Sequence, residues 1–385
     1  MKFNKWTLGL AAVGVVSLTA RVYGDEAKVS QVQTALSNTT LSGYVDVSAQ
    51  FNPNGGGVPP SGVASPNYNF GSKANGINLN VVDIALDKPE DATPWASGYH
   101  AEIWLGPDAT ALGTGASVKT STNSVTTTVG GSQAAIRQAY IRLNTPIGNG
   151  IDWQLGVWDT IIGYESTTSG NNPNYTRSLG YNIEPTTHTG LLGTYKINDE
   201  ITVEGGIADT AYAGGAYTAA LNTGLYLPTV LGSVALTAPD SFGWAKGATL
   251  SGGVINTSGS PGGATSLYAG FTLPTPVAAL KLGGAFDYLN QRDIDADQWV
   301  LGGYATYAFN DKLSLNLRAE YNDIIGSTPN QEEITATVQY ALWANVLTRL
   351  EVRWDHVEPG GDFFSNTGRP DSNVFLLAAQ AIYTF

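Results

Sequence analysis

Apolar and polar side chains alternate along most of the chain after Leu41. In segment 313–321, Leu, Leu, Leu, Ala and Tyr take the odd positions, while Ser, Asn, Arg and Glu take the even ones. The same period of two recurs in 334–340, and 347–355 repeats it after a shift of one residue. Because successive side chains of a strand point to opposite faces, this period predicts β-strands with one oily and one watery face.

Alternating segments bounded by Gly, Pro, Asn or Asp occur about sixteen times, which predicts an even number of strands. The predicted strands cover 41–51, 75–87, 95–106, 133–145, 151–161, 188–198, 200–211, 229–238, 246–257, 263–273, 277–291, 294–309, 312–325, 331–343, 347–357 and 372–385. The connections between them alternate in length. Those after even-numbered strands are short, and most are tight turns, whereas several after odd-numbered strands are long, such as 52–74, 107–132 and 162–187.

Short turns at one end and long loops at the other are typical of transmembrane barrels, whose turns are periplasmic and whose loops are external. A sheet in lipid cannot leave edge N–H and C=O groups unpaired, so it must close. The pattern therefore predicts an all-β fold, a single transmembrane antiparallel β-barrel of about sixteen strands over 41–385. A barrel of that size encloses an aqueous channel rather than a packed core.

The first 24 residues have the features of a secretory signal peptide. Lys2 and Lys5 precede an apolar run that reaches Ala20, and we expect cleavage after Gly24, although cleavage after Ala20 also fits. A membrane anchor is the alternative. Residues 25–40 would then form a short periplasmic lead-in. At the other end, Phe385 closes an alternating strand and resembles the C-terminal signal that the outer-membrane barrel assembly machinery binds.

Composition excludes several kinds of function. Without the signal peptide, 16 basic residues face 32 acidic ones, a formal net charge of −16, so the exported chain should repel nucleic acid. The chain has no cysteine, which excludes disulfides, thiolate zinc sites and thiol nucleophiles. Its three histidines have no metal-ligand spacing, and we expect no cofactor and no metal.

Several motifs are spread over the exported chain, at 41–46, 137–143, 148–152, 163–165, 172–178, 184–190 and 273–281. Together they resemble the β-barrel porin type 2 family, the OmpL-like outer-membrane porins. The resemblance implies passive transport of small hydrophilic solutes and ions across the outer membrane, with lipids and lipopolysaccharide around the barrel. It does not identify a natural solute. A homotrimer is plausible for a barrel of this size, although no subunit face stands out in the sequence.

Segment 162–187 is the candidate constriction, because a loop folded into a wide barrel narrows the pore and its charges select ions. Charged residues in it or beside it are Asp159, Glu165, Arg177, Glu184 and His188. The alternation places further charges on the water side, namely Arg142, Lys196, Glu204, Arg318, Glu320, Arg349, Glu351 and Arg353. Arg318, Arg349 and Arg353 either form a basic ladder facing the loop or are neutralised by the neighbouring Glu320 and Glu351. The excess of acidic over basic residues in the exported chain favours mild cation preference.

The alternative to a constriction is that 162–187 forms a solvated external loop.

The alternatives to a porin are an adhesin or structural barrel, a secreted lectin-like sandwich and a barrel hydrolase. An adhesin or structural barrel would use its loops rather than its lumen, and a secreted lectin-like sandwich would wash off membranes. A barrel hydrolase would need a dyad, but Asp355 and His356 are adjacent on one predicted strand and should point to opposite faces. The acidic stretch at Asp293, Asp295 and Asp297 lacks the glycine and glutamate of a calcium loop, so an acidic hairpin tip is favoured over a calcium site.

Overall fold

Sixteen antiparallel strands form the wall of a closed barrel. The computed structural model describes residues 32–33, 38–53, 73, 75–91, 93–115, 118–122, 125–129, 133–209, 229–258, 263–292, 296–325, 330–358 and 372–385. The strands are β1 Thr40–Phe51, β2 Gly76–Lys88, β3 Ser97–Leu105, β4 Ala134–Thr145, β5 Ile151–Asp159, β6 Thr187–Lys196, β7 Ile201–Ala208, β8 Thr229–Thr237, β9 Thr249–Thr257, β10 Ala264–Pro274, β11 Leu280–Gln291, β12 Ala296–Ala308, β13 Leu313–Ile325, β14 Gln331–Trp343, β15 Val346–Val357 and β16 Asn373–Thr384. The predicted fold class is confirmed, and every strand end lies within three residues of its predicted place.

The last strand pairs with the first, which removes every free edge from the sheet. Thr384 lies opposite Tyr44, and the ladder continues to Leu377 opposite Phe51. Beyond it, the Phe385 amide donates to the Gly43 carbonyl at 2.9 Å, and the Gly43 amide donates to the Phe385 carbonyl at 3.1 Å. The first barrel strand begins at Thr40, one residue before the predicted start at Leu41.

The two faces of the wall have opposite character. Large apolar side chains are exposed on the outer face, such as Leu155, Leu301 and Leu350 at 50, 55 and 65 %. The inner face carries polar side chains that are buried, among them Glu333 and Asp355. This is the reverse of a soluble protein, whose buried face is apolar, and it is what a wall between lipid and a polar lumen requires.

Short turns join the strands at the end of the barrel that holds Thr40 and Phe385, which we call the periplasmic end. Exposed aromatic side chains lie at this end, including Phe309, Trp343 and Tyr383. Aromatic rings are stable at a membrane–water interface, where one edge meets lipid and the other meets water.

Few residues lie in helices. Among the described residues the helical segments are one α-helix, α1 Leu179–Ile183, and 3-10 turns at Pro107–Ala111, Ser169–Asn171 and Asp240–Ala245. No helix in the described part of the chain is long and apolar enough to cross a membrane. A two-residue strand, Val32–Gln33, pairs with the start of β1, and Val118–Thr122 pairs with Val125–Val129 in a separate hairpin. The expected signal peptide, 1–24, lies outside the described residues.

A charge placed in the middle of the outer face tests whether that face contacts lipid. Leu317→Arg should lower the free energy of unfolding from lipid vesicles by about 2–4 kcal/mol, because an arginine near the bilayer midplane loses its hydration. The matched variant Phe309→Arg, in a turn at the periplasmic end, should cost about 0–1 kcal/mol. Urea unfolding followed by tryptophan fluorescence measures both. Equal costs for the two variants would contradict a lipid-facing belt.

Candidate pore constriction

The segment between β5 and β6, residues 160–186, lies inside the barrel, and we call it the lumen loop. The Tyr175 hydroxyl donates to Ser48 Oγ on β1 at 2.9 Å, and Asn174 Nδ2 donates to Thr337 Oγ1 on β14 at 2.6 Å. The Pro173 carbonyl accepts from Asn316 Nδ2 on β13 at 2.9 Å. The lumen loop therefore leaves one side of the barrel and rests against wall strands that are distant in sequence.

Three wall arginines hold the carbonyl groups of the lumen loop. Arg318 Nη1 donates to the Thr176 carbonyl at 2.7 Å, and Arg353 Nη1 donates to the Arg177 carbonyl at 2.7 Å. Arg349 donates to the Ser169 carbonyl at 3.1 Å and to the Asn172 carbonyl. All three guanidinium groups are buried beneath the loop.

Two wall glutamates hold the amide groups of the same segment. Glu351 accepts from the backbone amides of Tyr175 and Thr176, the latter at 2.9 Å. Glu320 accepts from the amides of Leu179 at 2.6 Å and Gly180 at 3.2 Å. Those two amides open helix α1, where N–H groups have no partner within the helix and a negative charge is favoured.

An ion-pair cluster ties the loop to the wall by charge as well. Arg318 lies 2.7 Å from Glu165 of the lumen loop and 2.9 Å from Glu333 of β14. Arg353 lies 2.7 Å from Asp355 and 3.9 Å from Glu333. These groups are buried, and a buried charge is tolerated only where it is paired and hydrogen-bonded. Removing either arginine would leave buried carboxylates without an ion-pair partner: Glu165 without Arg318, or Asp355 without Arg353.

A pair of carboxyl groups anchors the far end of the lumen loop. Glu184 is buried and hydrogen-bonded to the Asp287 side chain on β11. Burial, and next the charge of Asp287, raise the pKa of Glu184 well above its usual value, with further repulsion from Glu165 and Glu320. Two carboxyl groups can share a hydrogen bond only if one of them carries a proton.

Two glycines let the loop close over that carboxyl pair. Gly163 has φ of +116°, and a Cβ there would overlap the Glu184 carboxyl. A Cβ on Gly180 would lie 2.5 Å from Asp287 Oδ2. A larger side chain at either position would push the loop away from the wall.

The remaining charged residues in the loop or beside it also have partners within the protein. Asp159 pairs with Arg137 of β4. Arg177 donates to the Thr167 carbonyl at 2.7 Å, and its guanidinium lies 5.4 Å from the centre of the Tyr181 ring.

The predicted residues on β4, β6 and β7 lie away from the loop anchors. His188 is buried, 5.1 Å from Trp158 between ring centres, with Nε2 3.2 Å from Thr160 Oγ1. Arg142 pairs with Asp87 at 2.8 Å. At the periplasmic end, Lys196 pairs with Asp199 at 3.2 Å, and both side chains are exposed. Glu204 accepts from the hydroxyl groups of Thr194 and Ser233.

A cavity of about 530 Å³ lies between the lumen loop and the periplasmic end, and we call it the periplasmic chamber. Wall residues of β4 to β7 line it, together with the turns at Pro89–Glu90, Asn149–Gly150 and Asn198–Asp199. Thr160 and Ile161 of the lumen loop form part of its lining. The chamber is thus a part of the lumen that the loop leaves open.

Two residues of the buried network, Glu333 and Arg137, are not among the predicted pore residues. Glu333 precedes the alternation that begins at Ile334, and extending that pattern by one step would have placed it inside with Thr335. Arg137 could not be found this way, because the β3–β4 pairing shifts register between Glu102 and Ile103. An added residue in one strand reverses the alternation locally.

The residues of the considered hydrolase dyad are separated. Asp355 points into the barrel and accepts from Arg353, whereas His356 stacks on Trp354 at 5.5 Å and contacts Asn373. Within the described ranges no group of three or more His, Asp or Glu side chains is placed to hold a metal. Asp293 and Asp295 of the acidic stretch lie outside those ranges.

Solved structures with a similar fold are outer-membrane barrels. An anion-selective porin from Comamonas acidovorans is 12 % identical with a TM-score of 0.58, covering 90 % of this chain and 99 % of that one. The trimer form of OmpT from Vibrio cholerae is 14 % identical with a TM-score of 0.57, over 90 and 99 %. The outer membrane channel DcaP of Acinetobacter baumannii is 12 % identical with a TM-score of 0.56, over 90 and 97 %.

No curated protein sequence is significantly similar to the chain. The sequence model of the family described as "Putative beta-barrel porin-2, OmpL-like" matches residues 38–385, well over half of the chain. That match covers all sixteen barrel strands and the lumen loop. The chain therefore belongs to this OmpL-like porin family of the bacterial outer membrane.

Proposed function

We propose that the protein is a water-filled porin through which small hydrophilic solutes and ions diffuse passively, with the lumen loop as its constriction. The observation that carries this proposal is a 27-residue segment, 160–186, held inside a polar lumen by side chains of the wall. Solutes would pass on the side of the loop where the periplasmic chamber lies. The porin family and the porin folds support a channel rather than an enzyme.

Mild cation preference follows from how the charges are distributed. The basic ladder of Arg318, Arg349 and Arg353 is buried under the loop, so it is shielded from passing ions. The chamber lining contains five acidic residues, Glu90, Asp152, Asp159, Asp199 and Glu204, against the two basic residues Arg142 and Lys196. A carboxylate-rich aqueous passage favours cations.

The expected partners are those of an outer-membrane porin. The apolar outer belt would contact lipid and lipopolysaccharide, and the β16 strand ending at Phe385 would be the segment presented to the barrel assembly machinery. A homotrimer is supported by the trimer form recorded for the Vibrio cholerae OmpT barrel. An adhesin or purely structural barrel remains the rival assignment, and an absence of ion current through purified protein in planar bilayers would favour it.

Shortening the lumen loop should enlarge the pore. Replacing 166–182 with a short Gly-Ser linker should raise single-channel conductance roughly two- to fourfold, because the narrowest section of a channel dominates its resistance. A milder variant, Glu320→Gln with Glu351→Gln, weakens the hydrogen bonds to the loop amides and should make the current noisier. Asp311→Asn, in an exposed periplasmic turn, is the control. Unchanged conductance in the shortened variant would exclude the loop as the constriction.

Loop seating should weaken as the pH rises. Because the pKa of Glu184 is raised in the folded protein, its stabilising contribution is complete below the ordinary glutamate pKa of about 4.3 and is lost as pH rises through the raised value. Channel recordings of the native protein should therefore fluctuate more at alkaline than at acidic pH. Glu184→Gln can donate to Asp287 at any pH and should remove this dependence, whereas Glu200→Gln should retain it. Identical pH profiles for native and Glu184→Gln channels would argue against the carboxyl anchor.

A further inference from the structure

A row of polar side chains crosses five neighbouring strands on the wall of the periplasmic chamber. Strand pairing places Asn144 opposite Asp152, Asp152 opposite Thr194, Thr194 opposite Glu204, and Glu204 opposite Ser233. All five therefore lie in one row across the strands, on the lumen side of β4 to β8. Asp152, Thr194 and Glu204 line the chamber directly.

The two carboxylates of this row have neutral partners. Glu204 accepts from Thr194 Oγ1 at 2.9 Å and from Ser233 Oγ at 3.0 Å, and Asp152 accepts from Asn144 Nδ2 at 2.6 Å. In the described ranges neither carboxylate forms an ion pair. Glu204 is nonetheless nine-tenths buried, and a buried carboxylate is costly without an opposite charge.

The basic residues that line the chamber are already engaged. Arg142 pairs with Asp87 at 2.8 Å and donates to the Tyr140 hydroxyl at 3.1 Å. Lys196 pairs with Asp199 in the exposed turn. The basic residues of the chamber therefore do not balance the negative charge of Asp152 and Glu204.

A third carboxyl group adds to this negative charge. Glu90, in the turn after β2, also lines the chamber, and its Oε1 is shielded from solvent. Burial raises the pKa of Glu90 to about 7, followed by the neighbouring charge of Asp152 and a hydrogen bond between the two carboxyl groups, with Arg142 opposing. Two carboxylates this close repel each other when both are ionised, so a positively charged hydrogen-bond donor between them would be stabilised.

The spacing of the row sets the shape of a suitable ligand. Asp152 and Glu204 are two strands apart, which is about 10 Å across a sheet. A chamber of about 530 Å³ has room for a short linear molecule that spans this distance. Ammonium groups donate three hydrogen bonds each and match carboxylates flanked by hydroxyl and amide groups.

We propose that the periplasmic chamber binds linear organic diammonium ions, with Asp152 and Glu90 holding one ammonium group and Glu204 holding the other. This inference rests on the proposed porin function and names a solute class for the same lumen. Because periplasmic turns line the chamber and the lumen loop lies on its other side, such an ion should reach it more readily from the periplasmic side than past the loop.

Single channels in planar bilayers carrying KCl current test this proposal, with 1,5-diaminopentane as the probe. The diamine added to the periplasmic side should interrupt the current at lower concentration than from the external side. Pentylamine, with one ammonium group, should block about tenfold less well, since a charged hydrogen bond is lost. The dianion glutarate should not block.

Variants locate the site. Glu204→Gln and Asp152→Asn should each weaken the diamine block about tenfold. Glu200→Gln, a control with the same charge change outside the chamber lining, should leave it unaltered. Equal weakening by all three, equal block from both sides, or equal block by pentylamine would overturn the site. A channel that passes KCl current without diamine block refutes this inference alone, whereas protein that passes no KCl current refutes the porin function.

Discussion

Every backbone N–H and C=O group that lies in hydrocarbon must find a partner within the protein. In this chain the pairing of β16 with β1 meets that requirement, because it leaves no strand with a free edge. Closure then forces each strand to present one face to lipid and one to the lumen. The alternation of side chains, the exposed leucines outside and the buried charges inside all follow from it.

The same requirement explains how the lumen loop is held. Residues 160–186 are enclosed by the wall, yet most of them pair with no neighbouring strand. Wall arginines supply donors for the loop carbonyls, and Glu320 and Glu351 supply acceptors for its amides. The alternating Arg and Glu of β13 and β15 thus supply the hydrogen bonds that a neighbouring strand would otherwise make to the loop backbone. The sequence suggests these charges for ion selection, but in the structure they chiefly bind the loop backbone.

Much of the fold could be predicted because a period of two is a local property. Strand β14, at Gln331–Trp343, was predicted with its exact ends, since the alternation stops at turn residues. The site was less accessible to prediction. The alternation of side chains placed Arg318 and Arg353 on the lumen side. Whether these arginines contact water or a backbone carbonyl depends on the path of the loop, which the local pattern does not show. The Glu184–Asp287 contact joins residues more than a hundred positions apart, and the register shift near Arg137 leaves no mark in the local pattern.

The central claim is that water fills a passage between the lumen loop and the wall. Osmotic swelling of proteoliposomes in a graded series of sugars measures this passage directly. The account predicts rapid swelling with the smallest sugars and a steep fall in rate as the sugars grow larger. Swelling no faster than that of protein-free liposomes, for sugars of every size, would contradict it.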